Sequence, residues 1–178
     1  MTQREEKRSW RARNRVYITA IVLAVVLTMF VAPEVMEGDS MTPAITDGSV
    51  MVCSKTSYSA KRGEPDIGRV VILEKKLALE VSKDNIIARV VGLPGEKIEI
   101  KSGKLYRNGK EYIVEGAHGN LGKDMSVKLD KDHVFVLADN RDIVKDSRAK
   151  GLGPVEMKEI KGNVLIVLWP FSNFGRVE

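Results

Sequence analysis

Ile86-Ile87-Ala88-Arg89-Val90-Val91-Gly92-Leu93-Pro94-Gly95-Glu96-Lys97-Ile98-Glu99-Ile100-Lys101-Ser102-Gly103-Lys104-Leu105-Tyr106-Arg107-Asn108-Gly109 is the stretch on which the fold class turns. Three short runs in it, 86–91, 97–101 and 104–107, read as strands broken by glycine and asparagine. Ser102-Gly103 links the second run to the third as a tight hairpin, and Asn108-Gly109 is a strong type I′ turn signal. The local pattern predicts short antiparallel strands.

Working outward, further strands are predicted over 49–55, 69–73, 111–114, 133–138 and 164–169. One short helix is predicted over 155–160, with Pro154 at its first turn. The stretches 116–132 and 55–65 lack periodicity and read as surface loops. With 178 residues, the chain is long enough for one folded unit with a real core plus a small appendage. The predicted fold class is mostly β.

The formal charge is +5, but it is unevenly placed. Arg4, Lys7, Arg8, Arg11, Arg13 and Arg15 face only Glu5 and Glu6 in residues 1–15. The rest of the chain is therefore close to neutral, which argues against a nucleic-acid-binding surface on the main domain. Residues 16–32 carry no charge and would make roughly 25 Å of helix, slightly short of a bilayer core; extension to Met36 closes the gap. A cleavable leader is disfavoured because no small-x-small site follows the apolar run. The reading is a basic cytoplasmic tail over 1–15, a single transmembrane helix over 16–36 and an extracytoplasmic β domain over 37–178, oriented by the positive-inside rule. The lipid bilayer is thus an expected partner.

Cys53 stands alone, so no intrachain disulfide is available, and it reads as a partly buried structural thiol. No cysteine, histidine and aspartate cluster has metal spacing, and no glycine-rich loop precedes a helix, so neither a metal nor a cofactor is implied. Trp169-Pro170-Phe171 and Phe174 fit either an aromatic contact with the bilayer or packing at the core edge.

Four further groups carry chemistry by their order. Gly38-Asp39-Ser40-Met41-Thr42-Pro43 follows the apolar run, then Asp47-Gly48-Ser49-Val50-Met51-Val52, then Gly92-Leu93-Pro94-Gly95, then Asp139-Asn140-Arg141 with Asp146-Ser147-Arg148. In this order and spacing they resemble the boxes of the type I (leader) signal peptidases from anchor to C-terminus. That resemblance implies a membrane-apposed serine endopeptidase with a signal-peptidase-type β domain, acting on the signal peptides of exported precursors after small-x-small residues.

By position Ser40 corresponds to the family's nucleophile, and the backbone around it, including Gly38, to the oxyanion region. The family often carries a serine where this chain has Gly38, and many members have glycine there as well. Asp146 and Arg148 match the support pair beneath the site. Ala88 stands where the family box, Tyr-Ile-Lys-Arg-Val-Ile-Gly-Leu-Pro-Gly-Asp, has its general-base lysine. Val144 stands where a serine commonly orients that lysine, and Ala138 replaces the usual glycine. An extended signal peptide is expected to bind as an added strand near Met41, Met51, Ile86 and Ile87.

A serine hydroxyl attacks an amide poorly unless a positioned group takes its proton, and in this family a buried, neutral lysine does so. Ala88 takes no proton. Arg89 stays charged and points to the other face of the strand. Lys83 lies roughly 16 Å along an extended segment, beyond hydrogen-bond reach. Some relatives use histidine, but at the lysine position, whereas His118 falls in a predicted loop and His133 opens a strand. The expectation is impaired cleavage, since losing a general base costs about 10² to 10⁴ in rate. The alternative is a non-cleaving paralogue that serves as a binding or chaperone factor in surface-protein or pilus assembly.

Overall fold

The structure, a computed structural model, describes residues 3–55, 58, 59, 61–73 and 85–177. A helix, α1 (Gln3–Phe30), leads directly into β1 (Val31–Val35) and β2 (Val50–Ser54). β3 (Val70–Leu73), β4 (Ile86–Gly92), β5 (Lys97–Lys101), β6 (Lys104–Arg107) and β7 (Lys110–Glu111) follow. The chain continues through β8 (Met125–Lys128), β9 (His133–Leu137), β10 (Val155–Glu156) and β11 (Ile160–Trp169). Among the described residues these strands form two sheets, ordered β1-β2-β11-β3-β4-β9-β10 and β7-β6-β5-β8, with antiparallel pairing throughout. The mostly β expectation holds.

Turn chemistry builds the smaller sheet. Ser102 and Gly103 adopt φ of 50° and 74°, and Asn108 and Gly109 adopt 48° and 80°. Both pairs sit in the left-handed region that two-residue hairpin turns require, which asparagine and glycine tolerate best. In the larger sheet, β11 crosses β2 so closely at Gly162 that a Cβ there would stand 1.7 Å from the Ser54 carbonyl oxygen. Only glycine allows that crossing.

Strand alternation sorts the core into two faces. Val70, Ile72 and Ile87 point to one side, where they meet Met36, Met41, Ile45, Met51, Cys53, Val164 and Val167. Val71, Leu73, Ala88 and Val90 point to the other, against Val134, Val136, Leu152, Val155, Met157 and Ile160. β3 and β4 are thus covered on both faces; β3 reads as a continuous apolar run, and β4 as one interrupted only by Arg89. A third cluster, built on Val91, Ile98, Ile100, Leu105, Phe135 and Leu137, joins the two sheets.

Several elements differ from the sequence reading. Helix α1 stops at Phe30, and Val31–Val35, expected inside an anchor reaching residue 36, form an edge strand against β2. An edge tolerates Pro33, which supplies no N–H. Among the described residues no helix is long and apolar enough to cross a membrane. The predicted loop 116–132 contains β8, which pairs with β5. The predicted helix over 155–160 is instead β10 followed by a single 3₁₀ turn, Met157–Glu159. The strand expected over 111–114 shrinks to Lys110–Glu111. Trp169, Phe171 and Phe174 are exposed rather than part of the core.

Cys53 is buried on the Met51 face, where burial, reinforced by the Glu34 carboxylate, pushes its thiol from 9.0 up to about 12. Two expectations follow. At pH 8 iodoacetamide should alkylate Cys53 at least about 100-fold more slowly in the native chain than in guanidinium, because only the thiolate reacts and only an open state exposes it. Between pH 9 and 12 the unfolded chain binds fewer protons than the native one, so stability should fall as pH rises through that window. Alkylation of the native chain as fast as in guanidinium would show that the thiol is not sealed in the core.

Candidate active site

Ser40 sits in a turn after β1 that is fixed from several directions. The Gly38 N–H donates to Asp47 Oδ1 at 2.7 Å, and Thr42 N–H and Ile45 N–H donate to the Asp39 and Met41 carbonyls at 3.3 and 2.9 Å. Met41 and Ile45 are fully buried; each contributes about 1.5–3 kcal/mol by leaving water and pins the turn to the core. From outside, Asn140 N–H donates to the Ser40 carbonyl at 3.0 Å and Asn140 Nδ2 to the Asp39 carbonyl at 3.3 Å. Asn173 Nδ2 adds a bond to the Pro43 carbonyl at 3.2 Å. Ser40 itself is half-buried, and its Oγ has no hydrogen-bond partner among the described residues.

Ala88 lies on β4 opposite Val71, fully buried among Val71, Leu73, Val134 and Val136. The neighbouring register pair is Arg89 with Leu137, so Ala88 and Ala138 each stand one residue from it, beside the 139–141 segment that holds Ser40. The side chains packed around Ala88 in this cluster are apolar. Lys83 lies outside the described residues.

Arg89 points the other way. Its Nε and Nη2 clasp Asp139 Oδ1 and Oδ2 at 2.9 and 2.6 Å, and Nη1 donates to the Gly68 carbonyl at 2.8 Å, with both charged side chains no more than 2% exposed. Asp146 is likewise consumed by structure. Its oxygens accept Ala138 N–H at 3.0 Å and Arg148 N–H at 2.9 Å, and receive Arg148 Nε and Nη2 at 2.9 and 2.7 Å. Arg148 Nη1 continues to the carbonyls of Arg141 and Asn120. Asp146 and Arg148 therefore brace the 136–148 loop.

Of the expected substrate-contacting residues, Met41, Met51 and Ile87 come together in one cluster and Ile86 packs against the other. Met41 and Met51 are fully buried, so they form the floor beneath the Ser40 turn. The Gly38 N–H is taken by Asp47, so Gly38 serves the turn's shape, helped by its φ of 81°. Val144 is half-exposed and lines a surface cleft of about 280 Å³ with Leu121, Met125 and Arg148, away from the Ala88 packing. Sequence reasoning placed His118 in a loop; its backbone in fact bridges Asn140, donating to the Asp139 carbonyl at 3.0 Å and accepting from Arg141 N–H at 2.7 Å. Asn140 and the Arg89–Asp139 pair were also missed as the parts that seat Ser40. Their only signal was the Asp139-Asn140-Arg141 run itself.

A β-rich domain that presents a loop serine beside a buried arginine-aspartate pair defines a class, and comparison with known proteins narrows it. Residues 9–169 match the family described as signal peptidase, peptidase S26. A probable signal peptidase I-1 from Synechocystis sp. is 33% identical over 169 residues, covering 90% of this chain and 83% of its own length. Signal peptidase IB of Staphylococcus aureus is 32% identical over 176 residues, covering 88% and 87%. A solved signal peptidase I from Enterococcus faecalis V583 overlaps 57% of this chain and 97% of its own at 22% identity and a TM-score of 0.46, a looser likeness. The chain belongs to the signal peptidase I family, peptidase S26.

Proposed function

We propose that this chain is a membrane-anchored, extracytoplasmic member of the family that binds the signal peptides of exported precursors beside Ser40 and cleaves them slowly or not at all. The observation that carries this reading is Ala88, sealed among apolar side chains at the position where the resemblance calls for a lysine. Acyl transfer to Ser40 needs its proton removed as the Oγ–C bond forms. Ala88 itself accepts no proton, and Arg89, on the other face of β4, is held by Asp139.

The binding part of the site does not need that base. An extended peptide would add a strand beside the Ser40 turn and Ile86 and Ile87, over the floor made by Met41 and Met51. The backbone N–H groups at Ser40 would polarise the peptide carbonyl.

For the anchor, the basic tail over 1–15 and the apolar residues from 16 onward support a cytoplasmic N-terminus and an outward-facing domain. Register places Val35, Val50 and Trp169 in one row across β1, β2 and β11, and Val35, Trp169, Phe171 and Phe174 are all exposed. That exposed apolar row, at the end of β1 away from α1, suits the bilayer interface. The same buried alanine favours the second reading, a non-cleaving binding or chaperone factor in surface-protein or pilus assembly.

The test is a precursor assay with the full chain in neutral detergent, beside Ser40→Ala. The expected result is that both bind a fluorescent signal peptide equally and neither cleaves above background. Fast cleavage, within about tenfold of an active signal peptidase, that vanishes in Ser40→Ala would overturn the reading and demand another base.

A further inference from the structure

Arg141 is only 5% exposed, yet its Nη1 is buried with no hydrogen-bond partner among the described residues. The charges around it do not balance. Asp139 is clasped by Arg89 and Asp146 by Arg148, so three guanidinium groups share two carboxylates that are both already engaged. Asp142 turns instead to the Asn120 N–H at 2.9 Å, and Glu111 pairs with Lys104. Burial lowers the Arg141 guanidinium to about 10, with Asp139 opposing and Arg148 adding to the effect, so at neutral pH it remains a cation.

This cation lines a cleft of about 180 Å³ whose walls include Tyr112, Val114, Ala117, Leu121 and the Lys104–Glu111 ion pair, so that Arg141 leaves the lining with a net positive charge. A buried charge without a partner is costly, and a guanidinium offers a planar fork that matches the oxygens of a carboxylate or phosphate. The cleft has room for about six water-sized groups, which suits one small oxyanion and excludes a folded partner.

We propose that the Arg141 cleft is an oxyanion-binding site for a phosphate group, either free or on a lipid headgroup. The apolar part of the lining lowers the local dielectric and strengthens the contact, and the ligand supplies Arg141 with a negative charge that the cleft's own carboxylate, Glu111, gives to Lys104. The site stands independently of whether Ser40 turns over, because Arg141 contributes only backbone atoms to the turn that seats Ser40.

The test uses thermal unfolding of the full chain in neutral detergent, with sodium phosphate against sodium chloride at matched ionic strength. A second arm adds short-chain phosphatidylglycerol against phosphatidylcholine. Wild-type Tm should rise by about 3 to 6 °C at phosphate ten times its Kd. Arg141→Met should show no anion-specific rise, and without anion it should melt at or above the wild-type temperature, since it removes an unpaired buried charge of similar length. Arg141→Lys, which keeps charge but loses the fork, should respond more weakly. A rise with phosphate alone assigns the free ion, and a rise only with phosphatidylglycerol assigns the headgroup. Equal responses in wild type and Arg141→Met, or an Arg141→Met chain less stable than wild type without anion, would overturn the proposal.

Discussion

Ala88→Lys should raise cleavage of a signal-peptide precursor by about 10² to 10⁴ over the parent chain, and Ser40→Ala in that background should return it to background. The new amine would enter a fully buried position lined by Val71, Leu73, Val134 and Val136. Desolvation there disfavours the charged form, so the lysine would lose its proton well below the usual range and become a base near neutral pH. Cleavage should therefore climb with pH through that lowered titration. The same burial carries a cost: overpacking and the buried amine should lower Tm by several degrees. Adding Val144→Ser should change the rate by no more than about threefold, because Val144 faces the Leu121–Met125 cleft rather than Ala88. An Ala88→Lys chain that folds and binds signal peptide but stays silent would mean that more than the base has been lost.

The largest effect on stability is expected at Asp139. Asp139→Asn leaves the Arg89 guanidinium buried without its counter-charge, in a neighbourhood that already holds Arg141 and Arg148. Breaking one side of such a pair costs about 3–5 kcal/mol, which for a chain of this size lowers Tm by about 10 °C or more. Replacing both partners, as Arg89→Met with Asp139→Leu, should recover most of that loss, since no lone charge remains. Thermal melts of the single and double variants check this. A double variant as unstable as Asp139→Asn would show that the Gly68 carbonyl contact, not charge pairing, holds the site.

What could be read beforehand followed local rules. The hairpins around Ser102-Gly103 and Asn108-Gly109 were legible because the turn residues themselves select positive φ. β3 was legible because it is apolar throughout, and β4 and β9 because apolar residues dominate them, with Arg89 the one charged residue in β4 and His133 opening β9. β1 was not, since Val31-Ala32-Pro33-Glu34-Val35 continues an apolar helix and only pairing with β2 makes it a strand. β8 was hidden because Met125–Lys128 is too short to show a period, and its partner β5 lies well upstream. At the site, the order of the boxes singled out Ser40, Ala88, Asp146 and Arg148 as candidates. The bond from Asn140 to Ser40, and the unpaired state of Arg141, depend on contacts between residues far apart in sequence, which no local pattern encodes.

β4 carries Ala88 and Arg89 on consecutive residues and opposite faces. One face holds the position where the chemistry would be supplied, and the other holds the ion pair that keeps the scaffold folded. The two are adjacent in the gene yet independent in selection: a codon change at 88 can alter turnover without releasing the domain, whereas one at 89 strips Asp139 of its partner and destabilises the scaffold. A lineage can therefore pass from enzyme to binding protein in a single step and remain expressed, folded and open to a new use.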